Sequence, residues 1–131
     1  MELEKKSKIY LAGGWGKFRD IVQRDTNAIW MNPEHMTIRE NWFELETNAV
    51  KECDGMIAWF EKGNPSGFGM TYEMGMAFAL NKPYLVIVEE EEMIAYKFSM
   101  QCLGAVKFFT SWKDALEYIN ETNWLNIKLK S

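Results

Sequence analysis

Gly55-Met-Ile-Ala-Trp-Phe-Glu-Lys-Gly-Asn-Pro-Ser-Gly-Phe-Gly-Met-Thr-Tyr-Glu-Met-Gly-Met-Ala-Phe-Ala-Leu-Asn-Lys-Pro-Tyr-Leu-Val-Ile-Val88 decides the fold of this chain. Gly55 to Phe60 is a nearly continuous apolar run of strand length, as expected of a central strand covered on both faces. Pro83 to Val88 is a second such run. Between them a glycine-rich loop, Gly63 to Gly69, leads into the small-residue apolar stretch Met70 to Leu80, which reads as a buried helix. Strand, loop, helix and strand in this order form the unit of a parallel sheet.

The flanking sequence repeats the alternation. Lys8 to Ala12 reads as the first strand, Gly13-Gly-Trp-Gly16 as the loop leaving it, and Arg19 to Arg24 as a helix. Ala28 to Met31 reads as a second strand stopped by Asn32-Pro33. From Thr37 to Cys53 the apolar residues Ile38, Trp42, Leu45, Ala49 and Val50 recur every three to four positions, the spacing of an amphipathic helix. A short strand over Ala105 to Phe109 and a helix from Ser111 to Glu121 follow, with Ser111 as N-cap and Asp114 three residues on. Asn123 to Ser131 has no assigned element. The pattern predicts an α/β fold of flavodoxin/Rossmann-like kind, a parallel five-stranded sheet with helices on both faces, as a single domain over residues 1–131.

Bulk properties bound the function. At 131 residues, 47% hydrophobic and 15% aromatic, the chain has material for one core. A net charge of −4 with scattered Lys and Arg offers no basic stripe for a nucleic-acid polymer, although a single nucleotide needs only a few donors. Cys53 and Cys102 lie far apart in apolar surroundings and His35 has no ligand-spaced partner, so reduced core thiols are expected rather than a disulfide or a zinc site. The start, Met-Glu-Leu-Glu-Lys-Lys, lacks an apolar signal core, and no run approaches a membrane span. A cytoplasmic protein with no membrane partner is the expectation.

Glu73 is the residue that asks for a reason. It is an acid within an apolar run, expected near the first turn of its helix, facing whatever the Gly63 to Gly69 loop encloses. Burial disfavours its charged form, whereas the helix N-terminus and a hydroxyl such as that of Tyr10 favour it. A carboxylate so placed can act as a nucleophile on a sugar carbon or as a general base; capping of loop amides is the structural alternative. Tyr10 taken alone reads as a core aromatic with a satisfied hydroxyl. Glu46, toward the C-terminal half of its helix, reads as solvent-exposed; Asp54 is by default a cap or turn residue and is also a candidate for binding substrate. Gly13, Gly14 and Trp15, with Lys17 and Arg19 close by, could let backbone amides approach a phosphate or sugar. Their spacing is not G-x-G-x-x-G and no acid ends the second strand, which argues against NAD. Trp15, Trp59, Phe60 and Phe68 offer rings on which a base could stack.

Three segments, Lys8-Ile-Tyr-Leu-Ala-Gly-Gly-Trp15, Glu46-Thr-Asn-Ala-Val-Lys-Glu-Cys-Asp54 and Gly69-Met-Thr-Tyr-Glu-Met-Gly-Met-Ala-Phe-Ala-Leu-Asn-Lys-Pro83, give the chain its likeness to a known family. It resembles the nucleoside 2'-deoxyribosyltransferases and the related 2'-deoxynucleoside 5'-phosphate N-hydrolases. The resemblance implies that Glu73 attacks C1' of a deoxyribose and forms a covalent glycosyl-enzyme, with Tyr10 orienting its carboxylate. It implies that Glu46, at a place where the family carries an aspartate, assists departure of the base. It further implies a homodimer or higher homo-oligomer with a shared active site, and no metal or organic cofactor.

The 5' end of the substrate is read from the loop. Free-nucleoside transferases resembling this chain place an aspartate ahead of the nucleophile, where a phosphate would meet like charge. No acid stands between Lys62 and Tyr72 here. Ser66, Gly67 and Gly69 occupy the loop instead, and Ser99 opens a segment, Ser99-Met-Gln-Cys-Leu-Gly-Ala105, similar to the phosphate-binding serine segment of the hydrolases. The expected reaction is cleavage of a 2'-deoxynucleoside 5'-monophosphate with release of its base. Base exchange on free deoxynucleosides and a non-catalytic nucleotide-binding or sensing module are the alternatives.

Overall fold

The computed structural model describes residues 7–13, 29–31, 42–60, 68–89 and 100–126. Strands β1 (Lys8–Gly13), β2 (Ile29–Met31), β3 (Gly55–Phe60), β4 (Tyr84–Val88) and β5 (Lys107–Phe109) form one sheet, ordered β2-β1-β3-β4-β5. Every neighbouring pair is parallel. The order reverses between β1 and β3, and it is at the carboxyl ends of strands at such a switch point that open parallel sheets gather ligands.

Side chains on each strand alternate between two cores. Tyr10, Ala12, Met56, Ala58 and Phe60 face helices α1 (Trp42–Glu52), α2 (Phe68–Ala79) and α3 (Met100–Leu103). Ile9, Leu11, Ile57 and Trp59 face α4 (Trp112–Glu121) and a 3-10 turn, Trp124–Asn126. All residues of β3 and β4 are buried, as their unbroken apolar runs predict for strands covered on both sides. Among the described residues no helix is long and apolar enough to cross a membrane.

Local chemistry sets the element ends. The Ser111 hydroxyl accepts from the Asp114 N–H at 3.3 Å, the expected N-cap of α4. At the end of α2, Asn81 takes a left-handed conformation with φ 58°. The Lys82 N–H donates to the Ala77 carbonyl and the Asn81 N–H to the Phe78 carbonyl, at 2.7 and 3.1 Å. These two bonds are a Schellman closure, and Pro83 after it prevents the helix from continuing. β5 starts at Lys107 rather than at Ala105: the Ala105 N–H turns back to the Cys102 carbonyl, and the Val106 N–H, donating to the Tyr84 carbonyl of β4, leads the chain into the sheet. Trp124, in a tail that had no expected element, is buried against the sheet. Gly55 accommodates it: a Cβ there would lie 2.9 Å from the Trp124 ring. The expected helix over 19–24 and the stop at Asn32-Pro33 lie outside the described residues, as do residues 37–41 of the amphipathic helix.

Candidate active site

Helix α2 turns Met70, Glu73, Met74 and Ala77 toward the sheet, the i, i+3, i+4, i+7 stripe of one helical face. Glu73 is 7% exposed and is the buried charged side chain among the described residues. The Tyr10 hydroxyl, projecting from β1 on the same face of the sheet, donates a hydrogen bond to Glu73 Oε2. A buried carboxylate is costly unless it accepts such bonds, and a phenol donating to an ionised acceptor is among the stronger ones. The helix supplies less than expected. Because α2 already begins at Phe68, within the glycine-rich run, Glu73 is its sixth residue and not in the first turn. The macrodipole acts within the first turn, which leaves the Tyr10 hydroxyl, rather than the helix N-terminus, as the expected donor that reaches this carboxylate.

Glu46 is half-buried, which corrects the expectation of full exposure. It is the fifth residue of the described α1 and shares a helical stripe with the buried Ala49, Val50 and Cys53. That stripe and the Glu73 stripe of α2 converge on the same side of the sheet. Two acids from neighbouring helices and one phenol from the strand beneath them are therefore presented by a single apolar layer.

No family model and no curated protein matches the sequence. Solved structures do match the fold. The chain superposes on the 2-deoxyribosyltransferase of the psychrotolerant bacterium Bacillus psychrosaccharolyticus with a TM-score of 0.71 and 20% identity, over 95% of this chain and 100% of that one. It also superposes on BcmB, a CMP N-glycosidase of Clostridium botulinum, with a TM-score of 0.57 and 20% identity, over 86% of this chain and 97% of that one. The chain has the deoxyribosyltransferase fold.

Within this deoxyribosyltransferase fold the other sequence-derived site residues divide. Gly13 ends β1, opposite Trp59 in register, and so stands at the carboxyl edge. Gly69 belongs to α2 rather than to the loop before it. Asp54 does not join them. It precedes β3 at the amino edge of the sheet, where its carboxylate accepts the Lys8 N–H at 2.8 Å and its own N–H donates to the Lys8 carbonyl at 2.7 Å. Its chemistry is the pairing of two strand starts, at the end of the sheet opposite the carboxyl edge. Gly14, Trp15, Lys17, Arg19, Ser66, Gly67 and Ser99 lie outside the described residues.

Trp59 is likewise removed from the base-stacking candidates. It is buried on the opposite face, stacked on Trp112 with ring centroids 5.2 Å apart. Phe60, one residue on, faces the Glu73 side. Cys53 and Cys102 are free and buried. The Cys53 thiol donates to the Val50 carbonyl, and burial pushes it up to about 11, far from the range of a reactive thiolate. An open groove of about 470 Å³ runs along β5 and α4, lined by Lys107, Asp114, Glu117 and Tyr118 among others. None of the site residues lines it.

Proposed function

We propose that this protein cleaves the N-glycosidic bond of a 2'-deoxynucleoside 5'-monophosphate, releasing the base through a covalent glycosyl-Glu73 intermediate. The observation that carries the reading is the buried Glu73 carboxylate held by the Tyr10 hydroxyl. Bond cleavage builds positive charge at C1' and negative charge on the leaving base, so an anionic nucleophile and a proton donor are the minimum apparatus. The Glu73 carboxylate forms an ester bond to C1' as the C1'–N bond breaks, and Glu46 gives its proton to the departing base. A water molecule then attacks C1', passes a proton to the Glu46 carboxylate, and frees Glu73 as an anion. Tyr10 orients the nucleophile, and Gly13 with the Gly14 to Arg19 loop, Ser66, Gly67, Gly69 and Ser99 is assigned to sugar and phosphate. No cofactor enters this scheme.

Two features support it beyond the pair itself. The fold is shared with a deoxyribosyltransferase and with an N-glycosidase of a nucleoside monophosphate. The absence of an acid between Lys62 and Tyr72 favours a phosphorylated 5' end. A second reading, exchange of bases on free deoxynucleosides, is favoured by the higher TM-score to the transferase. Incubation with deoxynucleotides and deoxynucleosides, with and without a competing base, separates the readings. Free deoxyribose 5-phosphate means hydrolysis and a new nucleoside means transfer. Mass spectrometry of the quenched enzyme should find the sugar ester on Glu73. If neither turnover nor ester is found with any substrate, while Glu73→Gln binds nucleotide as well as wild type, the protein is a binding module instead.

A further inference from the structure

The groove of about 470 Å³ beside the last strand has two unlike walls. One is the backbone of residues 107–110. Among the described residues β5 is an outermost strand of the sheet, so its side away from β4 has no strand next to it. The other wall is α4, which brings Asp114, Glu117, Tyr118 and Glu121 to the groove as one helical stripe at i, i+3, i+4 and i+7. α4 packs on the face of the sheet opposite Glu73, so this groove is separate from the candidate active site.

Two of these acids weaken the helix that carries them. Asp114 stands in the first turn, where negative charge is favourable, but Glu121 is the last residue, where it opposes the helix dipole, and no basic residue stands in that turn. Glu117 and Glu121 are four residues apart, the spacing at which like charges on a helix repel. All three acids are exposed, and among the described residues no ion pair neutralises them. Lys107, the cation on the strand wall, holds its ammonium over the rings of Tyr118 and Phe109, 5.1 and 5.8 Å from their centroids, and not against a carboxylate. The groove therefore keeps three negative charges against one positive.

We propose that this groove binds an extended, basic peptide segment of a partner protein, which pairs with the free edge of β5 and sets Lys or Arg side chains on Glu117 and Glu121. A sheet edge offers main-chain hydrogen bonds to a strand, and the charge of the helix wall selects which strand enters. The spacings agree. Alternate side chains of a strand share one face about 6.6–6.8 Å apart, and helix residues four apart are separated by about 6 Å of rise. Basic residues at every second position of the partner thus meet Glu117 and Glu121 in turn. Nucleic acid, with its phosphates, is repelled by the same wall. The proposal does not rest on the reading of Glu73.

Fluorescence anisotropy with a labelled synthetic peptide, Thr-Lys-Val-Lys-Val-Lys-Thr, tests it. Wild type should bind the peptide saturably, more weakly as salt rises. The double variant Glu117→Lys with Glu121→Lys, shown by circular dichroism to be folded, should bind at least tenfold more weakly. It should in turn bind the peptide Thr-Glu-Val-Glu-Val-Glu-Thr, which wild type rejects. Replacing the two valines of the basic peptide by proline removes main-chain donors and should also weaken binding at least tenfold. Absence of saturable binding to wild type overturns the proposal, as does equal binding of the basic peptide by the double variant. Equal binding of the proline peptide overturns it too, because attraction of charge alone would then account for the complex.

Discussion

The Tyr10 hydroxyl donates to the Glu73 carboxylate across 63 residues of sequence, from the third residue of β1 to the sixth of α2. The bond joins the strand at the turning point of the sheet to the helix that crosses from β3 to β4. It holds the acid at one height above the sheet.

Removing the donor should separate positioning from folding. Tyr10→Phe keeps the buried ring and deletes the hydrogen bond to a charged acceptor, worth about 1.5–3 kcal/mol. Deoxynucleotide cleavage should fall roughly 10- to 100-fold in kcat, with circular dichroism unchanged. Unaltered kcat in this variant would sink the positioning role.

Glu73→Gln tests whether the carboxylate serves chemistry or architecture. The amide fills the same space and still accepts from Tyr10, while the cost of a buried charge disappears. Its thermal midpoint should equal or exceed that of wild type, and turnover should vanish. A clear loss of stability would mean that the charge itself holds the loop or helix in place.

Asp54 should behave in the opposite way. Its carboxylate accepts the Lys8 N–H at the amino edge of the sheet, on an exposed residue. Asp54→Ala is expected to lower stability by about 0.5–1.5 kcal/mol in urea unfolding and to leave kcat and KM untouched. A change in KM would return it to the substrate site.

Stability should decline in alkali. Burial pushes the Cys53 thiol from 9.0 up to about 11 and the Tyr84 phenol from 10.0 up to about 12, the latter helped by Cys102. Between those values the unfolded chain has lost protons that the folded chain still holds. Stability is therefore fully present below about pH 9 and falls as pH rises toward about 12. Urea midpoints across that window should drop for wild type and drop less for Tyr84→Phe, which keeps the ring and removes one titrating group. Equal slopes in the two proteins would show that Tyr84 takes no part.

The sequence by itself determined the elements whose information is local. The apolar runs of β3 and β4 require cover on both sides, the three-to-four spacing around Ala49 and Val50 requires a helix, and Ser111 with Asp114 caps α4. It also singled out Glu73, because an acid in an apolar helix needs a partner, whereas Tyr10 taken alone reads as a core aromatic and gains its role only through the family resemblance. The tertiary structure alone decided sides and ends. Alternation along β3 says that Trp59 and Phe60 face opposite ways, but only the packed helices say that Phe60 has the Glu73 side and Trp59 the Trp112 side. Asp54 could have capped either edge until β1 was laid in register beside β3. Trp124 had no periodic pattern to announce it, since its burial depends on the space left by Gly55. Periodicity and capping act over a few neighbouring residues, whereas face and edge are set by contacts between segments far apart in the chain.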